Sequence, residues 1–226
     1  MESFNFDKQA AEAYIRASVF DAMRHFKDET LGTQIDLQLI SEPIKEGVDQ
    51  HWSGVRTSAN GKGLDLFAKF LTDRNSSLLN KATHVLFTGD DKDNIHVIAN
   101  QNTVCKPFNH PFNQGEHYIP SMAIVEKNNE NETIGWLLAH ELGHNLGMQH
   151  GWEWEDKHKY VPKGYCTKEE TGSVNFLNNL QHYGQYTWTI CNRCDLLRSY
   201  QYHILNFGKY CLENLNEINE GDVKEN

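Results

Sequence analysis

An eleven-residue stretch, HELGHNLGMQH at positions 140–150, constrains the fold of this chain more than any other feature of its sequence. His140 and His144 are four residues apart, so on an α-helix they share one face, with Cβ atoms about 5–6 Å apart, and both can reach a single ion. Gly147 can adopt a positive φ without steric cost, which lets the chain turn sharply and bring His150 to the same ion. The spacing therefore predicts a helix that ends in a glycine turn.

The residue types in this stretch predict a catalytic zinc site. Three neutral imidazoles, those of His140, His144 and His150, bind Zn²⁺ and leave a fourth coordination position open, as in catalytic rather than structural sites. Zinc lowers the pKa of a bound water toward about 7, and Glu141, which is not a ligand, can then act as general base when that water attacks a peptide carbonyl. Two other interpretations stay open: a polar helix end with exposed histidines, and zinc binding without catalysis.

Composition excludes several classes of partner. The chain has 21 basic and 31 acidic residues, a net charge of −10, whereas binding to nucleic-acid phosphates needs clustered Lys and Arg. No apolar run exceeds four residues, so we expect neither a membrane span nor the apolar core of a signal peptide. With 226 residues the chain can bury its own core, and we predict a single catalytic domain that is a monomer and takes a protein or peptide as substrate.

The cysteine count indicates an oxidising compartment. Two disulfides and one leftover thiol are the simplest arrangement of five cysteines, so we predict a secreted, extracellular protein whose leader lies upstream of Met1. The cysteines all fall in the second half of the chain: Cys105, Cys166, Cys191, Cys194 and Cys211. Cys191 and Cys194 form a CxxC pair, for which half of a zinc ribbon or a redox pair are the alternative interpretations.

Hydrophobic periodicity predicts an α/β (α+β) fold with a mostly parallel sheet, because helical and strand patterns alternate along the chain. Helices are predicted at about 8–27, 61–71, 132–145 and 194–207, and strands at 35–39, 85–87, 95–99 and 122–125. Asn129 with Glu132 is a candidate cap for the third helix, and Gly208 should end the last one. Residues 151–190 lack a clear period and suggest an irregular lobe.

Several segments together with the motif resemble the metzincin zinc endopeptidases, and within that clan the reprolysin or adamalysin family, which includes the ADAM and venom metalloproteases. Residues 81–88 resemble the family's third strand, 102–107 its rim segment, 188–191 the entry to its last helix, and 211–214 its C-terminal end. The resemblance implies Cys105–Cys211 and Cys166–Cys191 disulfides, with Cys194 left free.

The same resemblance implies a twisted sheet with helices in an upper lobe (about 1–150) that carries the zinc helix at the cleft. A small irregular lower lobe (about 151–212) with the C-terminal helix and an acidic tail (213–226) would follow. An extended substrate would pair with the edge strand near 95–104. The whole chain would thus be one zinc-dependent endopeptidase domain.

Three positions depart from the family pattern. Asn175 stands where a methionine is expected in a turn beneath the zinc, and Gly151 follows the third histidine, where an aspartate is usual. Asn80 or Lys81 occupies a calcium-binding position, so no calcium is expected there. A second hypothesis is therefore a catalytically impaired, metalloprotease-like effector that binds a protein partner.

Two groups of side chains near the motif have open interpretations. One group lies near a loop that could form the rim of the cleft, and its members could be metal ligands or ordinary surface histidines: His96, His110 and His117. The other could wall a substrate pocket or pack the lower lobe: Trp152, Trp154 and Tyr160.

Overall fold

The computed structural model describes residues 8–40, 62–73, 82–88, 97–104, 121–126, 134–151 and 187–208. These ranges contain the helices α1 (Lys8–Phe26), α2 (Lys62–Asp73), α3 (Gly135–Asn145) and α4 (Ile190–Phe207), and the strands β1 (His84–Thr88), β2 (Val97–Ala99) and β3 (Met122–Glu126). A short 3₁₀ turn at Glu29–Leu31 follows α1. None of the described helices has the length and apolar character needed to cross a lipid bilayer.

The three described strands form one sheet in the order β1-β3-β2. β1 runs parallel to β3, with Leu86 opposite Ile124, and β2 runs antiparallel to it, with Ile98 opposite the same residue. Residues 122–125 are all buried, as expected for a central strand. β2 lies at an edge of the described sheet, and β3 separates it from β1.

Alternation along β3 divides its side chains between two apolar cores. Met122 and Ile124 pack with Leu64, Phe67 and Leu71 of α2. Val125 packs on the opposite side, in the core that α1 and α3 cover. Because successive side chains of a strand point to opposite faces, this sheet is covered by helices on both sides. The described elements therefore form three layers.

The first and third helices pack against each other over the larger core. Ala22 and Phe26 of α1 are fully buried there, four residues apart on one helix face. Leu137 and Leu138 of α3 contribute the facing apolar surface, at 4 % and 1 % exposure. Burying one such leucine contributes roughly 1.5–3 kcal/mol, so this contact holds the histidine-bearing helix against the sheet.

The start of α4 is joined to the end of α1 by Trp188. Its indole N–H donates to the carbonyl oxygen of His25 at 2.7 Å, and its backbone N–H donates to the Thr30 hydroxyl at 3.0 Å. The ring is 1 % exposed, and its centroid lies 5.3 Å from that of Phe26. The indole therefore fixes α4 against the core while its one donor is satisfied.

The sequence predicted most of the described elements. α1 and α2 match the predicted helices, and the predicted face of α2 is the buried one. β1 is covered on both faces as predicted, since Val85 and Phe87 contact one core and Leu86 the other. The mixed composition of helices and sheet is thus confirmed, and Gly208 ends α4 in a left-handed conformation with φ 72°.

One prediction about the described elements was wrong. Residues 35–39 form no strand, although Ile35 and Leu37 face the core while Asp36 and Gln38 are exposed. Alternating burial requires one apolar side only and does not require a hydrogen-bonded neighbour, so the pattern alone could not establish a strand. The described sheet has one parallel and one antiparallel pairing, and a mostly parallel sheet for the whole chain stays a prediction.

Two helix starts differ from the prediction. α3 begins at Gly135, and Ile134 precedes it without a side-chain cap, so the helix starts later than the predicted 132. The predicted Asn129–Glu132 cap lies outside the described residues. α4 begins at Ile190 rather than 194, because Thr189 and Asn192 form a capping box in which asparagine takes the place of the usual Glu or Gln. The expected lower lobe falls largely outside the described residues.

Candidate metal centre

The three histidines of the motif converge on one point. The Nε2 atom of His144 lies 3.0 Å from that of His140 and 3.1 Å from that of His150, and the remaining Nε2–Nε2 distance is 3.3 Å. A tetrahedral zinc ion with bonds of about 2.1 Å would place its ligand nitrogens about 3.4 Å apart. The three nitrogens therefore have the spacing of a metal site, and this group could hold a metal ion.

A hydrogen bond sets the tautomer of His144. Its Nδ1 lies 2.8 Å from the carbonyl oxygen of Met148. A carbonyl oxygen can only accept, so Nδ1 carries the proton, and Nε2 of the neutral ring presents a lone pair. This is the form that a metal ligand needs, and the carbonyl also fixes the orientation of the ring.

The glycine turn has the predicted conformation. α3 ends at Asn145, and Gly147 has φ +100°, in the region that favours glycine. The N–H of Met148 donates to the carbonyl oxygen of Gly143 at 2.9 Å, which closes the turn. A Cβ on Gly147 would also lie 3.2 Å from the side chains of both Asn102 and Ser199, so the turn is crowded as well as left-handed. The predicted role of Gly147 is confirmed.

The segment after β2 supports the end of α3. The N–H of Asn102 donates to the carbonyl oxygen of His144 at 2.7 Å, which satisfies a helix-terminal acceptor that has no partner within the helix. In the other direction, the Asn145 carboxamide donates to the carbonyl oxygens of Asn100 at 2.7 Å and Met122 at 3.0 Å. The helix end that carries the histidines is therefore fixed to the edge of the sheet.

Gly143 allows a close contact behind the histidines. A Cβ at this position would lie 3.1 Å from the ring of Trp188 and 3.3 Å from the sulfur of Met148. Both of these side chains are buried. A larger residue here would push α3 away from Trp188 and Met148, so the glycine between the two helical histidines has a packing reason that the sequence did not reveal.

The Glu141 carboxylate lies beside the histidines. It is 2 % exposed, and its Oε1 is 3.7 Å from His140 Nε2. Within the described part of the chain, its Oε2 is buried without a hydrogen-bond partner, and burial raises the pKa of Glu141 to about 8. A dication nearby would act in the opposite direction, because it favours the carboxylate form. A buried carboxylate beside three converging imidazoles fits a cation better than an apolar site.

Two residues of α4 that the sequence analysis left unassigned contact the segment before His150. Asp195 Oδ2 accepts the N–H of Gln149 at 3.0 Å, and Asn192 Nδ2 donates to the carbonyl oxygen of Gln149 at 3.2 Å. The spacing of Thr189 and Asn192 as a capping box could have indicated the start of the helix. No local pattern indicates the contact of Asp195.

The CxxC pair does not form a disulfide within itself. Cys191 is disulfide-bonded and 1 % exposed, and its partner lies outside the described residues. Cys194 is a free, half-buried thiol, as expected from the resemblance. The other singled-out side chains also lie outside the described residues: Cys105, Cys166, Cys211, Asn80, Lys81, Asn175, His96, His110, His117, Trp152, Trp154 and Tyr160.

Comparison with known proteins bears on the whole chain. Among curated proteins, none matches it. Residues 50–216, about three quarters of the chain, match the family model of the reprolysin (M12B) zinc metalloproteases. Members of this family are hydrolases that use Zn²⁺ and act on proteins or peptides, and the three-histidine group is suited to bind that ion. The match confirms the resemblance seen in the sequence: the chain belongs to the reprolysin (M12B) family of zinc metalloproteases.

Proposed function

We propose that this chain is a secreted zinc-dependent endopeptidase in which His140, His144 and His150 are the metal ligands and Glu141 is the general base. The observation that carries the proposal is the convergence of three Nε2 atoms within 3.3 Å of one another, beside a buried carboxylate. Membership of the reprolysin family supports it, because that family consists of zinc metalloproteases.

The side chains of the site divide the chemistry of peptide hydrolysis among them. Zinc, when bound, supplies a Lewis acid that polarises the peptide carbonyl and acidifies water. Glu141 accepts a proton from the attacking water while the water oxygen bonds to the carbonyl carbon. The same carboxyl group then gives this proton to the amide nitrogen as the C–N bond breaks. The products are a carboxylic acid and an amine, and no covalent bond to the protein forms.

The edge of the sheet supports an extended mode of substrate binding. β2 pairs with β3 on one side, and the segment that follows it contacts the end of α3 through Asn102. A peptide that adds a strand near 95–104 would gain main-chain hydrogen bonds at a sheet edge and would run past the histidines. The bond preference would then depend on the side chains that line this path.

The disulfide at Cys191 supports secretion, because stable disulfides form in oxidising compartments. We assign its partner as Cys166 and pair Cys105 with Cys211, as the family resemblance implies. The second bridge would tie the chain beyond α4 back to the segment after β2. Peptide mapping without reduction tests both assignments, and a Cys105 peptide linked to any cysteine other than Cys211 would contradict the second.

Hydrolysis of a quenched peptide or a denatured protein tests the enzymatic function. We expect cleavage by the zinc-loaded chain that a chelator abolishes and added zinc restores. Glu141→Gln is the matched variant, since it keeps the size of the side chain and removes the base. It should retain one bound zinc and lose activity by roughly 10²–10⁴-fold. If the natural chain binds zinc and is as inactive as this variant, the effector hypothesis is favoured instead.

A further inference from the structure

A buried polar stripe runs along the inner face of α4. Its three members are spaced three and four residues apart and are 0 %, 6 % and 7 % exposed: Asn192, Asp195 and Ser199. Residues at this spacing lie on one face of a helix. A buried amide, carboxylate and hydroxyl are costly unless each is hydrogen-bonded, so their partners indicate what the stripe does.

The partners of the stripe lie on both sides of the turn that carries the third histidine. Asp195 and Asn192 hold the N–H and the carbonyl oxygen of Gln149, the residue immediately before His150. Ser199 donates its hydroxyl to Asn102 Oδ1 at 3.2 Å. Asn102 in turn donates its backbone N–H to the carbonyl oxygen of His144. The stripe thus contacts the supports of two of the three histidines.

Asn192 is itself fixed in orientation. Its Oδ1 accepts from the backbone N–H of Thr189 at 3.0 Å and from the hydroxyl of the same residue at 3.0 Å. With the oxygen engaged in the helix cap, the carboxamide nitrogen points to the carbonyl oxygen of Gln149. One side chain therefore begins α4 and holds the main chain next to His150.

The carboxylate of Asp195 makes the stronger of the two contacts. An ionised acceptor forms hydrogen bonds roughly twice as strong as a neutral one, and this carboxylate is almost fully buried. Arg198 approaches its other oxygen at 4.0 Å, but the arginine side chain is 57 % exposed and so contributes little. The Gln149 N–H is thus a main contact through which Asp195 can affect the metal centre.

We infer that Asp195 and Asn192 are positioning residues for the third metal ligand: they hold the main chain of Gln149 so that His150 Nε2 meets the two helical nitrogens. This inference rests on the proposed role of the three histidines as ligands. Neither residue touches the reacting atoms. Partners of this kind commonly change metal affinity by 10–100-fold when they are removed, because they fix the ligand before the ion arrives.

Zinc affinity of the full chain tests the inference, measured by competition with a chelator of known affinity. Asp195→Ala should weaken zinc binding by roughly 10–100-fold. Asp195→Asn should lose less, because one carboxamide oxygen can still accept the Gln149 N–H. Cobalt-loaded protein gives a second readout, since the visible absorption of Co²⁺ should differ between Asp195→Ala and the natural chain if the third imidazole is displaced.

Gly208→Ala is the control for a purely structural effect. Gly208 ends α4 with φ 72°, and a Cβ there would have no neighbour within 4 Å among the described residues, so this change should destabilise the helix without touching Gln149. We expect a lower Tm of the metal-free protein and a zinc Kd within about twofold of the natural value, given that a left-handed alanine costs about 1 kcal/mol.

The outcomes separate this inference from the proposed function. If Asp195→Ala keeps the natural zinc Kd and cobalt spectrum, the inference is wrong, whatever its Tm. If Asp195→Ala fails to fold, Asp195→Asn and Asn192→Ala take its place. The inference is also wrong if both of these variants keep the natural zinc Kd and cobalt spectrum. A natural chain that binds zinc and cleaves nothing contradicts the proposed function alone, whereas one that binds no zinc contradicts both.

Discussion

The metal centre holds its histidines in two different ways. His140 and His144 lie on α3, where helix geometry alone sets their separation. His150 lies beyond the helix, and its position depends on the turn at Gly147 and on contacts of Gln149 with Asn192 and Asp195. These two residues follow Gln149 in the sequence by 43 and 46 positions. A short motif can therefore contain a proposed ligand whose position depends on residues far away in the sequence.

The largest expected effect comes from His144→Ala, because His144 lies on α3 and also contacts the turn that leads to His150. The change removes a ligand and also the Nδ1 bond to the Met148 carbonyl. Apparent zinc binding energies of about 10–16 kcal/mol shared among four ligands suggest a loss on the order of a hundredfold or more. His150→Ala removes a proposed ligand but leaves the His144–Met148 hydrogen bond in place, so its zinc Kd should rise less. Equal losses, measured by chelator competition, would mean that the Met148 contact is unimportant.

The next effect concerns the turn between the two regions. Gly147→Ala places a Cβ at φ +100° and 3.2 Å from two side chains, so it should lower the free energy of unfolding by roughly 1–3 kcal/mol. Gly208→Ala is matched, since its φ is also positive but its surroundings are open. Urea unfolding of both variants should show the larger loss at Gly147. If the two variants lose a similar free energy of unfolding, crowding by Asn102 and Ser199 does not contribute to the cost at Gly147.

A smaller effect is expected at the start of α4. Thr189→Ala removes the hydroxyl that accepts the Asn192 N–H and so should destabilise the protein by about 1 kcal/mol. It also removes one of the two hydrogen bonds to the Asn192 carboxamide oxygen, so zinc affinity should fall slightly. Thr189→Ser keeps the hydroxyl and should restore both quantities. A serine variant that behaves like alanine would show that the threonine methyl group, and not the cap, is what matters.

The smallest effect is expected at Arg198. Because its side chain is exposed and 4.0 Å from Asp195, Arg198→Ala should change the free energy of unfolding by less than about 0.5 kcal/mol. Zinc affinity should stay the same, since the Gln149 N–H keeps its carboxylate. A clear drop in zinc affinity would show that the arginine helps to orient Asp195. The support of His150 would then include an exposed side chain of α4.

The predictable part of the site is its local part. The four-residue interval between His140 and His144 and the glycine at 147 follow from helix geometry and backbone sterics, so the sequence alone predicted them. Asp195 gave no such signal, because an acidic residue inside a helix is ordinary until its long-range partner is known. The need for glycine at position 143 was not predictable either, because it comes from the Trp188 ring that packs against it.

The same limit applies to the fold. The strands at 84–88 and 122–126 were predictable because they contact apolar cores on both faces and read as apolar runs. Residues 35–39 have the alternation of a strand, yet their periodicity reports which side faces the core and says nothing about hydrogen-bonded neighbours. The start of α3 was equally hard to predict, because the helix begins at Gly135 after Ile134, which provides no side-chain cap.

The link between Trp188 and His25 has a consequence for the order in which the molecule assembles. It joins residues 163 positions apart, and such distant contacts form late because a long loop must close first. All three histidines emerge before α4 during synthesis, but the main chain beside His150 is held by α4, so we expect a nascent chain to fix only the two helical nitrogens at first. Tight metal capture would then follow docking of α4, and zinc would stabilise that docked state.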